Sequence, residues 1–83
     1  MVDWRHFIPT EVEYDFENDK LAIHGVSFEE ALECLFSDYQ IQRNKSFVDR
    51  YQLIGMTDGG RVLKIIVQVK PGNVIRIITG WPI

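Results

Sequence analysis

Alternation of polar and apolar residues in Glu11-Val12-Glu13-Tyr14-Asp15-Phe16 predicts a short strand with Val12, Tyr14 and Phe16 on one face. The segment from Glu17 to His24 is long enough for two helical turns, and Gly25 follows it as a left-handed stop. Ser27-Phe28-Glu29-Glu30 then forms a capping-box pattern, in which a serine hydroxyl and a glutamate carboxylate satisfy each other's backbone amides. The helix it opens is expected to run to about Ser37. Its apolar stripe is Phe28, Ala31, Leu32, Leu35 and Phe36, while Glu29, Glu30 and Glu33 are expected to face water. Residues 37 to 45 show no clear period and read as a connecting loop.

Three strands should come next, from Phe47 to Gly55, Arg61 to Lys70 and Val74 to Thr79, joined by turns at Asp58-Gly59-Gly60 and Pro71-Gly72-Asn73. Side-chain parity fixes the length of both turns. A two-residue turn would set Leu53 opposite Lys64 and mix the faces. Three-residue turns pair Leu53 with Ile65, Tyr51 with Val67, Val67 with Ile77 and Val69 with Ile75, giving one buried face. The opposite face then carries a transverse row of Arg50, Gln68 and Arg76, with Lys64 beside Ile54 and Lys70 beside Val74. Ile54, Val62, Ile66, Val74 and Ile78 share it. The expected architecture is α+β, with two short helices packed on a small, mainly antiparallel sheet that ends in a three-stranded meander. Residues 1 to 10 are read as an N-terminal arm and residues 11 to 83 as one domain.

Composition narrows the chemistry. The 83 residues carry a net charge of −3, but the first forty hold ten acidic and two basic residues, and the remainder seven basic and two acidic. A basic half can meet phosphate or an acidic partner, or it can attract the acidic half within one monomer. The single cysteine, Cys34, excludes an internal disulfide, and two histidines exclude a Cys/His zinc cage, so no metal or other cofactor is expected. Cys34 flanks the helical stripe and reads as a small core residue. No apolar run approaches a membrane span and the first residues lack the order of a signal peptide, so a cytoplasmic protein with no membrane partner is expected.

At His24-Gly25-Val26-Ser27-Phe28-Glu29-Glu30-Ala31, at Ile54-Gly55-Met56-Thr57-Asp58-Gly59-Gly60-Arg61-Val62-Leu63 and at Ile75-Arg76-Ile77-Ile78, the chain resembles the BrnT-type toxins, which share a RelE-like fold. The resemblance spans about residues 12 to 79. It implies an endoribonuclease that cuts messenger RNA without metal and is held inactive by an antitoxin protein. His24 matches the family histidine and would serve as acid or base, while Arg61 and Arg76 match basic positions and would complete the catalytic set. Arg50, Lys64, Gln68 and Lys70 are the candidate RNA contacts. A second class stays open: Ile23 and Trp81 occupy positions where the family usually has basic residues, and a noncatalytic module binding a protein or peptide fits the same fold.

Overall fold

The computed structural model describes residues 9–43 and 49–83. Its elements are β1 (Glu11–Tyr14), α1 (Lys20–Ile23), α2 (Phe28–Leu35), β2 (Gln40–Arg43), β3 (Arg50–Met56), β4 (Val62–Lys70) and β5 (Val74–Pro82). They build an α+β fold whose five-stranded sheet has the order β1-β5-β4-β3-β2. Strands β2 to β5 pair antiparallel, and β1 joins the outer side of β5 in parallel.

The meander has the expected register. Leu53 stands opposite Ile65, Tyr51 opposite Val67, Val67 opposite Ile77 and Val69 opposite Ile75. Gly60 takes φ 87°, and the second turn uses Gly72 at φ 80° and Asn73 at φ 59°. These left-handed positions let three-residue loops follow the strand twist. In the first turn the Thr57 and Gly60 amides donate to the Arg61 and Thr57 carbonyls, and the Arg61 amide donates to Thr57 Oγ1.

The resulting core is one layer deep. Leu53, Leu63, Ile65, Val67, Ile75 and Ile77 from the sheet meet Leu21, Val26, Ala31, Cys34 and Leu35 from the helical side. The capping box of α2 is complete, with the Glu30 amide donating to Ser27 Oγ and the Ser27 amide to Glu30 Oε1, both at 3.1 Å. Burial pushes the Cys34 thiol up to about 11. At neutral pH it is therefore a protonated core side chain rather than a nucleophile.

Several boundaries differ from expectation, each for a local reason. Residues 37 to 45 are not all loop: Gln40–Arg43 forms β2 against β3. Its only apolar residue is Ile41, so periodicity had almost nothing to register. The helix from Phe28 stops at Leu35 because Phe36 becomes its C-cap, and Phe36 is 66 % exposed rather than part of the stripe. Glu30 and Glu33 are half-buried and bonded, Glu33 Oε1 accepting from the Asp58 amide. β1 ends at Tyr14, and α1 starts at Lys20 with Asp19 as its N-cap rather than at Glu17. The start of the third expected strand, at Phe47, lies outside the described residues.

β5 runs to Pro82, past the expected stop at Thr79, because a bulge shifts its register. Val67 pairs with Ile77 but Ile66 pairs with Thr79, leaving Ile78 as the extra residue. A bulge of this kind turns the strand and re-aims the residues beyond it. Gly80 consequently faces the core, where a Cβ would stand 2.5 Å from Ile65 Cδ1 and 3.1 Å from Leu21 Cδ2. Gly55 is equally confined, since a Cβ there would lie 2.8 Å from both the Cys34 carbonyl oxygen and Ser37 Oγ. Replacing Gly55 by alanine should destabilise the fold by roughly 1–3 kcal/mol, because the obstacle is helix backbone that cannot rotate away. A drop in the urea midpoint at unchanged m-value checks it; an unchanged midpoint would contradict this packing.

Candidate functional site

The face of the sheet opposite the helices carries the expected transverse row. Arg50 pairs with Gln68, and Gln68 with Arg76. With strands ~4.8 Å apart, the two arginine backbones stand roughly 10 Å from each other. Parallel β1 extends the row by one residue, setting Glu13 beside Arg76.

That extension changes the charge of the row. Lys70 Nζ donates to Glu13 Oε1 at 2.8 Å, and Arg76 Nη1 lies 3.9 Å from the same oxygen. The Lys70 hydrogen bond, with the charges of Lys70 and Arg76, holds the Glu13 carboxyl below its usual range. Gln68 Nε2 donates to Asp49 Oδ2 at 2.7 Å. This end of the face is therefore a mixed cluster of cations and carboxylates, in which Arg76 also acts on the charge of Asp15, and Lys70 and Arg76 keep further donors.

His24 and Arg61 belong to the opposite end. His24 is the C-cap of α1, its backbone amide donating to the Leu21 carbonyl. Its exposed imidazole makes no hydrogen bond among the described residues and lies 5.9 Å, centroid to centroid, from the indole of Trp81. Arg61 Nη1 donates to the Gly25 carbonyl oxygen at 3.1 Å and to Glu30 Oε2 at 2.9 Å, binding the β3–β4 turn to the joint between the helices. Lys64 stands beside both Ile54 and Trp81 in the sheet and makes no ion pair among the described residues.

The candidate residues thus form two groups rather than one. His24 and Lys64 flank Trp81, with Arg61 held at the adjoining helix joint, while Arg50, Gln68, Lys70 and Arg76 lie toward Glu13 and Asp49. Arg76 and Trp81 are five residues apart on β5, which separates the groups by roughly 15 Å. Trp81 acquires its place through the bulge, and Glu13 through the parallel pairing of β1. Neither position follows from alternation along a single strand.

No family model, no curated protein and no solved structure matches this chain. Among the described residues no group of three His, Cys, Asp or Glu side chains is arranged to hold a metal ion, and no helix is long and apolar enough to cross a membrane.

Glu30 links the helical layer to the Arg61 turn, and its carboxyl lies below the usual range, first through the Ser27 backbone hydrogen bond and then through Arg61. A carboxyl depressed by folding contributes stability above its unfolded pKa of ~4.3 and loses that contribution as pH falls through the lower folded value. Glu30→Gln should therefore flatten the loss of stability below about pH 4.3. Urea unfolding at stepped pH measures this, and an acid limb as steep as that of the unaltered chain would contradict the role of the carboxylate.

Proposed function

We propose that the chain is a toxin-like endoribonuclease of a toxin-antitoxin pair, acting in the cytoplasm on messenger RNA without metal and restrained by an antitoxin protein. The observation that supports it is the Arg50-Gln68-Arg76 row, flanked by Lys70, on the same sheet face as Lys64 and Trp81. Single-stranded RNA needs a basic track for its phosphates and aromatic surface for its bases, and this face offers both. The motifs around His24, Arg61 and Arg76 supply the resemblance to the BrnT-type toxins.

In the reaction, the ribose 2′ oxygen attacks the adjacent phosphorus while the bond from phosphorus to the 5′ oxygen breaks, leaving a 2′,3′-cyclic phosphate. One proton leaves the 2′ hydroxyl and one reaches the departing 5′ oxygen. His24 suits either transfer, because one imidazole nitrogen can accept a proton and the other donate one. Arg61 places a cation at the same corner. Glu30 and Gly25 engage one terminal nitrogen of its guanidinium, so other N–H donors remain for the charge that builds on the phosphate oxygens. Arg76, about 15 Å along β5, contacts a neighbouring stretch of the strand rather than the reacting phosphate.

The second reading is a noncatalytic binding module. The separation of His24 from Arg76 favours it, together with the carboxylate partners of Arg61, Lys70 and Arg76.

Incubating the purified chain with a labelled single-stranded RNA at low salt distinguishes the two. Cleavage with 2′,3′-cyclic phosphate ends is expected, falling at least ~100-fold in His24→Ala, the usual scale of a lost general acid or base. Arg50→Ala with Arg76→Ala should weaken binding and reduce the salt slope by roughly 0.7 per lost phosphate contact. RNA bound but left intact contradicts the catalytic role of His24; an RNA neither bound nor cut contradicts the proposal and leaves the protein- or peptide-binding module.

A further inference from the structure

The joint between α1 and α2 forms a groove of about 520 Å³ on the helical side of the molecule. Its floor is aromatic. Tyr14 and Phe28 are stacked at 5.5 Å, and Phe16 meets them edge-on at 5.1 Å and tilted at 5.0 Å. Phe16 nevertheless remains 63 % exposed, a large apolar ring held in place without being covered. Asp19, Glu29 and Glu30 also line the groove, and Asp15 and Glu17 flank Phe16 in the chain.

The chain itself shows what this chemistry accepts. At one end of the groove Arg61 inserts its guanidinium between the Gly25 carbonyl and the Glu30 carboxylate, both groups of the groove lining. Phe16 and Glu29, both in the lining, offer an outside group a related combination: an apolar aromatic ring for an apolar or cationic side chain and a carboxylate to neutralise a positive charge. Tyr14 and Asp19 are already occupied, since the Tyr14 hydroxyl donates to Asp19 Oδ1 at 2.6 Å and accepts from the Leu21 amide at 2.9 Å. They fix the shape of the floor.

We propose that this groove docks a basic, apolar-anchored segment of a partner protein, with an apolar side chain on the exposed ring of Phe16 and lysine or arginine side chains against Glu29 and its acidic neighbours. The complementarity excludes RNA as the occupant, because carboxylates around the groove repel phosphate. A purely apolar segment would desolvate Glu29 without neutralising it. The Arg61 end of the groove adjoins the proposed catalytic corner, whereas the docking contacts on Phe16 and Glu29 use no residue assigned to RNA.

Fluorescence anisotropy tests this with a labelled amphipathic 12-residue peptide of leucine, lysine and arginine, and a matched peptide with glutamate at every basic position. The basic peptide should bind at least tenfold tighter than the acidic one. Phe16→Ser should lose at least tenfold of that affinity, and Ala22→Arg, which puts the chain's own cation into the groove, should lose a similar amount. Ala22 is exposed, so this variant blocks the groove while keeping the aromatic floor. Both variants should keep the unfolding midpoint and the affinity for single-stranded RNA. Equal binding of the two peptides would overturn the proposal, as would full affinity in a folded Ala22→Arg variant.

Discussion

Everything functional in this molecule depends on the register of three strands, and two short loops set that register. Gly60 in the first loop and Gly72 with Asn73 in the second take left-handed backbone angles, so each hairpin closes with three residues. One residue more or fewer in either loop would turn every side chain of the adjoining strand to the other face. The apolar series from Leu53 to Ile77 would then meet water, and the Arg50-Gln68-Arg76 row would be driven under the helices. The core and the basic face are thus two consequences of one constraint.

Charge follows the same division. The acidic half of the chain mostly builds the helical layer and the basic half mostly builds the sheet, and among the described residues ion pairs join the halves at two places. Glu30 holds Arg61 where the helices meet the first turn, and Glu13 holds Lys70 and Arg76 where β1 meets β5. Part of the charge separation is therefore consumed within the molecule. The remainder lies on two surfaces of different character: a sheet face that carries Arg50, Lys64, Lys70 and Arg76, and a groove with surplus carboxylates around the exposed ring of Phe16. The two proposals assign one of these surfaces to a polyanion and the other to a basic protein segment.

Much of this was legible in the sequence because strand parity and capping are local and periodic. Ser27 and Glu30 announced the start of α2, and the apolar alternation around Asp58-Gly59-Gly60 fixed both the turn and the pairing of Leu53 with Ile65. Features that depend on distant neighbours were not legible. Gln40–Arg43 becomes a strand because β3 offers it a ladder, with only Ile41 to mark it. The bulge at Ile78 leaves no trace in alternation, yet it carries Gly80 inward and sets Trp81 beside Lys64. The parallel pairing of β1 places Glu13 against Arg76, far apart along the chain. For the same reason the candidate site residues, which stood together in the sequence reading, form two groups in space.

If the proposed function is right, nucleic acid runs along the sheet face to the corner of His24 and Arg61 and stays out of the aromatic groove. Mapping backbone amide shifts of the isotopically labelled chain during titration with a short single-stranded RNA tests it most directly. Changes are expected at His24, Arg50, Arg61, Lys64, Gln68, Arg76 and Trp81, with none at Phe16, Phe28 or Glu29. Changes confined to Phe16, Phe28 and Glu29, or spread evenly over both sides, would contradict it.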